Sequence, residues 1–268
     1  MIDYHVHTHH SFDGFHSMEE LVTKGISLGL SEICFTDHKD YDYDGKGSEF
    51  TFSYKDYFFE LEQMQNKFED KISIKSGVEF GLQPHNIKQY EDDIALFPFD
   101  YIIGSIHSAK KSDIFIGDFF ETRNQKQAYD DYFDDMLQVI RKNATFSVLG
   151  HMDVIKRYGD FPSPLSLNEY IEYPRTIFKE IIQQDKGIEV NTSGFRYNLN
   201  ATHPSIDLLK LFHQLGGEII VPGSDTHQIN DLGFHLIETL KLLHHIGYRY
   251  IASFDKMKPR FHKIESFL

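Results

Sequence analysis

Residues Ile2-Asp-Tyr-His5-Val-His7 form a short extended run that ends on two histidines spaced i and i+2, and they decide how the rest of the chain is read. On a strand such side chains share a face, so both imidazoles can turn to one ion. The design recurs. Glu32–Thr36 runs into Asp37-His38, Ile72–Val78 into Glu79, Tyr101–Ile106 into His107, Phe146–Gly150 into His151, and Glu218–Pro222 leads to Asp225-Thr-His227. Of the strand candidates up to Pro222, only Gly187–Asn191 ends without such a group. Neutral imidazole and carboxylate oxygen are ligands for Zn, Mn, Fe and related divalent ions. A lone strand-end His is more often a hydrogen-bonded structural residue. Repetition at strand end after strand end is not explained that way.

Amphipathic stretches lie between the strands. Ser17-Met-Glu-Glu20 reads as a capping box opening a helix that ends near Gly29, and Ser166-Leu-Asn-Glu169 as another, followed by apolar residues at helical spacing through Ile182. Gln125–Lys142 and Asp231–Ile246 have the same character. Alternating strands and helices, with strands buried on both faces, predict a parallel sheet. Seven or eight such units predict a closed α/β, TIM-like barrel whose C-terminal strand ends share one mouth. An open doubly wound sheet gives the same alternation, but neither a Gly-rich dinucleotide fingerprint nor a Walker loop supports its usual ligands. No repeat, linker or low-complexity tract marks a boundary, so residues 1–268 read as a single domain. Tyr248–Ser253 is a weaker eighth strand candidate.

Lys and Arg number 27 against 41 Asp and Glu, a net charge of −14. Such a surface repels phosphodiester backbones, so no nucleic-acid partner is expected. No apolar run approaches the roughly 20 residues that span a bilayer, and the first residues lack the basic and apolar regions of a secretory signal. Cys34 is the single cysteine, which forbids an intramolecular disulfide and a thiolate zinc cluster; it reads as a small core residue. The expectation is a soluble cytoplasmic protein with no membrane contact and no obligate protein partner. The unusual number is 16 histidines.

Taken together and in order, His5-Val-His7, Thr36-Asp37-His38, Glu79, His107, His151 and Asp225-Thr-His227 resemble the polymerase and histidinol phosphatase (PHP) superfamily. The match runs from the first strand to the last helix. It implies a distorted (β/α)7 barrel, in which Tyr248–Ser253 need not be a barrel strand. A chain of this length resembles the family's single-domain phosphatases rather than its polymerase-associated members. The resemblance therefore implies hydrolysis of L-histidinol phosphate to L-histidinol and phosphate, a step of histidine biosynthesis. It also implies three divalent ions, Zn, Mn or Fe. The first would be held by His5, His7, Glu79 and Asp225. The second would share Glu79 and take His107 and His151. The third would take His38, His227 and a residue of the loop after the first strand, where spacing gives Asp13 and where His9, His10 and His16 lie nearby. Asp37 is expected behind the ligands, or as a helix cap.

The chemistry that follows is attack on phosphorus by a hydroxide bridging the first two ions, which Glu79 and Asp225 hold together. Three ions carry about +6; Asp13, Glu79, Asp225 and the hydroxide leave about +2, a match for a phosphate monoester dianion. The leaving-group acid is left open between a water on the third ion, His10 and an unligated Asp. Arg157 after the fifth strand and Arg196 after the sixth are candidates to clamp phosphate oxygens. Phe15, Tyr158, Phe161 and Phe195 fall in expected mouth loops and are candidates to pack on the leaving group. Asp42-Tyr-Asp44 lies inside a Gly- and Tyr-bearing loop, unlike the strand-end pair of haloacid-dehalogenase-type enzymes, and reads as solvated or lid-like. Two rival readings stand beside the main one: a phosphoesterase for another small monoester or a nucleotide, and a non-catalytic metal-binding regulatory barrel.

Overall fold

The computed structural model describes residues 1–115, 118–197 and 199–268. Seven strands, β1 (Ile2–Val6), β2 (Glu32–Phe35), β3 (Ser73–Gly81), β4 (Tyr101–Ser105), β5 (Val148–Leu149), β6 (Gly187–Asn191) and β7 (Ile220–Gly223), lie side by side in chain order. Every neighbouring pair is parallel. All residues of β1, β4, β6 and β7 are buried, as the continuous apolar runs require of strands covered on both faces. Beyond β7 the chain meets β1 again: His7 N donates to Thr226 O (2.9 Å) and Thr226 N donates to His5 O (3.1 Å). That bridge nearly closes the sheet into the expected seven-stranded barrel, and it brings Asp225 and His227 beside His5 and His7.

One helix follows each strand: α1 (Met18–Ser27), α2 (Tyr54–Lys67), α3 (Ile87–Leu96), α4 (Gln125–Arg141), α5 (Glu172–Gln183), α6 (Ile206–Gln214) and α7 (Leu236–Ile246). The Ser17 capping box forms and opens α1. The Ser166 box also forms, yet it opens only a 3₁₀ turn, and α5 begins at Glu172 with Pro174 in its first turn, where a missing N–H costs nothing. Likewise α7 starts later than its pattern implies. Gly233 turns the chain at φ 73° while donating its N–H to Asp3 Oδ2 (3.0 Å). The weak eighth strand is β8 (Tyr250–Asp255), which pairs antiparallel with β9 (Lys258–Lys263) outside the barrel. Phe254 N donates to the Tyr4 hydroxyl (3.1 Å), tying this hairpin to β1. No described helix is long and apolar enough to cross a membrane.

Candidate metal centre

Glu79, near the end of β3 and fully buried, stands at the middle of the strand-end residues. Its Oε2 lies 3.1 Å from His5 Nε2, 3.6 Å from His7 Nε2 and 3.1 Å from His38 Nδ1. Its Oε1 lies 2.9 Å from His151 Nε2 and 3.2 Å from His107 Nε2. Asp225 Oδ1 is 3.6 Å from His5 Nε2 and 3.5 Å from His7 Nε2. Asp13 Oδ2 is 3.1 Å from His227 Nε2 and 3.6 Å from His38 Nε2. Three overlapping donor sets result: His5, His7 and Asp225; His38, Glu79 and His107; and His7, Asp13, His38 and His227. The fold thus brings all nine candidate ligands together. Of the loop alternatives, Asp13 reaches His38 and His227, whereas His9 and His10 turn to Glu60 on α2.

Two carboxylates that the strand-end pattern does not mark set the imidazoles. Glu189 on β6 is 2.5 Å from His5 Nδ1 through Oε1, and its Oε2 accepts from His151 N (2.7 Å). Asp40 Oδ1 is 2.6 Å from His107 Nδ1. A carboxylate on Nδ1 fixes the proton there and turns the Nε2 lone pair toward Glu79 and Asp225. The available signal was Glu189 itself, an acid inside the one apolar strand without an end ligand. Gly81 makes room for the Asp40–His107 pair, since a Cβ there would fall 1.8 Å from Asp40 Oδ1. Gly81→Ala should therefore displace Asp40 and lower metal retention at His107, read by elemental analysis after dialysis, with little change in far-UV circular dichroism. Asp37 caps no helix. It accepts from Thr8 N (2.7 Å), Ser11 N (3.1 Å) and Ser11 Oγ (2.8 Å), and Ser11 Oγ in turn accepts from His38 N (2.9 Å) and lies 3.2 Å from His7 Nδ1. It shapes the loop that carries Asp13.

The electrostatics match a cation centre. Burial would raise the Glu79 carboxyl, but His5, His107 and His38 hold it well below its ordinary value. Asp225 is held low in the same way, against burial, by His5, His7 and His227. Burial would lower His5 and His107, yet Glu189 and Asp40, each together with Glu79, push them well above the usual imidazole range. Burial, His227 and His38 drive His7 the other way. His7 Nε2 is buried with no hydrogen-bond partner among the described residues, although Glu79 and Asp225 face it. A buried polar atom so placed is costly unless an ion or water meets it. The donors therefore fit divalent cations of the Zn, Mn and Fe type.

This centre floors a cavity of about 370 Å³. Its walls carry Phe12, Tyr43, Phe50, Phe115, Tyr158 and Tyr197, with Arg157 and Arg196. The Arg157 guanidinium lies 3.0 Å over the Tyr197 ring. Arg196 is engaged differently, donating to Ser224 O (2.8 Å) and Asp225 O (2.6 Å), and so braces Asp225 in its left-handed conformation, φ 57°. Among the expected aromatics only Tyr158 lines the cavity. Phe15 is 68% exposed, while ring contacts hold Phe161 on Phe120 and Phe195 on His235 instead of at the cavity. His10 is not at the mouth either; its Nε2 is 2.9 Å from Glu60 Oε2, which removes it as the leaving-group acid. Asp42 accepts from Gly47 N and pairs with His85, 2.7 Å away, and Asp44 accepts from Ser48, so both carboxylates are engaged away from the centre, while Tyr43 between them reaches the cavity.

Residues 3–193 match the PHP domain family. A histidinol-phosphatase of Lactococcus lactis is 30% identical over 259 residues, covering 96% of this chain and 95% of that protein. The crystal structure of histidinol phosphate phosphatase from the same organism, complexed with zinc, L-histidinol and phosphate, superposes with a TM-score of 0.86 at 29% identity, over 97% of this chain and 98% of that one. A solved structure from Listeria monocytogenes, 21% identical, superposes with a TM-score of 0.76 over 87% and 98% of the two chains, which supports the fold alone.

Proposed function

The chain belongs to the PHP domain family, and from that premise we propose that it is a metal-dependent phosphatase of L-histidinol phosphate, releasing L-histidinol and inorganic phosphate. The observation that carries this is one cavity lined by Asp13, His38, Glu79, His107, His151, Asp225 and His227, with His5 and His7 buried behind Glu79 and Asp225, and walled by aromatic rings and arginines. Three divalent ions are assigned, to His5, His7, Glu79 and Asp225, to Glu79, His107 and His151, and to Asp13, His38 and His227. Such ions supply Lewis acidity and an activated water at neutral pH. Asp13, Glu79 and Asp225 return only part of that positive charge, so the floor attracts a phosphate dianion despite the chain's net −14. Glu189 and Asp40 hold the proton on the far nitrogen of His5 and His107. The rings of Tyr43, Phe115 and Tyr158 suit the imidazole and ammonium carried by the L-histidinol leaving group, with Phe50 stacked between Phe12 and Tyr43 as support. The place of action is the cytoplasm, and the partner is this small phosphomonoester.

Arg157 is assigned to the phosphate and Arg196 to the brace on Asp225. A charge-assisted bond contributes about 1.5 kcal/mol or more, so Arg157→Ala should lower kcat/KM about tenfold with metal content unchanged. Arg196→Ala should lose metal as well as activity, and Arg196→Lys should recover only part, lacking the fork that reaches two carbonyls. Measuring kcat/KM beside zinc content separates the two roles. Depletion should also be ordered. The Asp13–His227 pair is the most exposed of the set, at 33% and 28%, against 0% for His5 and Glu79. Timed chelation should remove one equivalent before the others. The substrate assignment is tested by kcat/KM over a panel of phosphomonoesters and nucleotides with and without chelator; a nucleotide preferred over L-histidinol phosphate would overturn it.

A further inference from the structure

The loop between β1 and α1 carries two histidines that the centre does not use. His10 Nε2 lies 2.9 Å and His9 Nε2 3.4 Å from one oxygen, Glu60 Oε2 on α2. The two imidazole rings are 4.4 Å apart and tilted by 30°. Glu60 is fixed in this orientation, because its other oxygen accepts from Met18 N (3.2 Å) at the start of α1 and leaves Oε2 facing both rings. His10 is fixed by its own N–H on Thr8 Oγ1 (3.1 Å) and by the Tyr57 ring, 5.8 Å away edge-on. His9 is steadied by its N–H on His16 O (2.9 Å).

We propose that His9, His10 and Glu60 form a further site for a divalent cation of the zinc class, separate from the cavity, with water completing its coordination. Two imidazoles and a carboxylate are the donor set that zinc takes when one position stays open. Ligand atoms about 2.0–2.1 Å from a tetrahedral zinc lie about 3.3 Å from one another. The two spacings to Glu60 Oε2 bracket that value, so little movement is required. His9 is 47% exposed and gives the ion a path from solvent, while His10 at 10% and Glu60 at 21% are held by packing. Glu20 acts electrostatically on His9 and His16, and Asp56 on His10, so the surroundings are acidic. The ion would join the loop to both α1 and α2, and this is the loop that brings Asp13 to His38 and His227.

The test uses the holoenzyme. Protein saturated with zinc in the cavity and freed of excess is titrated with zinc alone by equilibrium dialysis, for the parent, His9→Ala and Glu60→Gln. The expected result is one additional, weaker equivalent in the parent that loses about tenfold or more in affinity in each variant. Tightly held zinc and turnover should stay unchanged in both, which also shows that the variants are folded. Glu60→Gln keeps an oxygen for Met18 N, and His9→Ala removes an exposed ring, so neither change disturbs the core. An additional equivalent that binds equally well to the parent and both variants, or no additional equivalent in the parent, would overturn the site.

Discussion

Glu79→Gln should lower kcat by at least ~10²-fold and release one or more of the tightly bound ions. The two oxygens of Glu79 face different halves of the centre, Oε2 toward His5, His7 and His38 and Oε1 toward His107 and His151. Glutamine keeps the volume but removes the charge that offsets neighbouring cations in a fully buried position. It also turns an N–H₂ group, which offers no lone pair to a cation, toward one of the two halves. Ser105 Oγ, which donates to Oε1 (2.6 Å), makes the mismatch worse in that orientation. Elemental analysis of dialysed protein and steady-state kinetics at saturating zinc check this together. Near-parent kcat with full metal content would show that Glu79 does not bridge.

A comparable loss is expected from a residue that touches no assigned ion. Glu189→Gln should reduce metal affinity or activity by about 10–100-fold, the usual effect of removing a carboxylate behind a ligating imidazole. Glu189 accepts on both oxygens, from His5 Nδ1 and Asn191 Nδ2 on one side and from His151 N on the other. An amide accepts on one side only. Either orientation leaves a buried donor unpaired, costing about 1–3 kcal/mol, and one of them frees His5 to take the wrong tautomer. Stability should fall along with zinc affinity, so thermal unfolding with excess zinc and with chelator is the measurement. Equal unfolding temperatures for variant and parent in both conditions would show that Glu189 does not set His5.

The barrel was legible because six of the seven apolar runs up to Pro222 end on a group with chemistry, and a parallel sheet sends those ends to one side. The candidate ligands share that legibility: His5, His7, His38, Glu79, His107, His151, Asp225 and His227 all sit near the end of a strand or just beyond it. What spacing could not show is what lies across the barrel. Asp40 reaches His107 from the segment after β2, and Glu189 reaches His5 on β1, 184 positions away in the chain. The aromatic wall was hard to read for a different reason, since loop residues point by local turn geometry rather than by strand alternation. Phe12 and Phe50 stack with centroids 3.8 Å apart, while Phe15, three residues from Phe12, stands in solvent. His10 misled through proximity in sequence to His7; a single turn after β1 carries it to α2 instead of the cavity.

Metal-dependent hydrolysis at this centre is decided by phosphate release from L-histidinol phosphate, followed while chelator-stripped protein is reloaded with measured equivalents of zinc. Stripped protein should be inactive, and activity should return as the tight sites fill, levelling off near three tightly bound equivalents. Full turnover by stripped protein, or no phosphate release from this substrate at any loading, would contradict a metal-dependent histidinol-phosphate phosphatase.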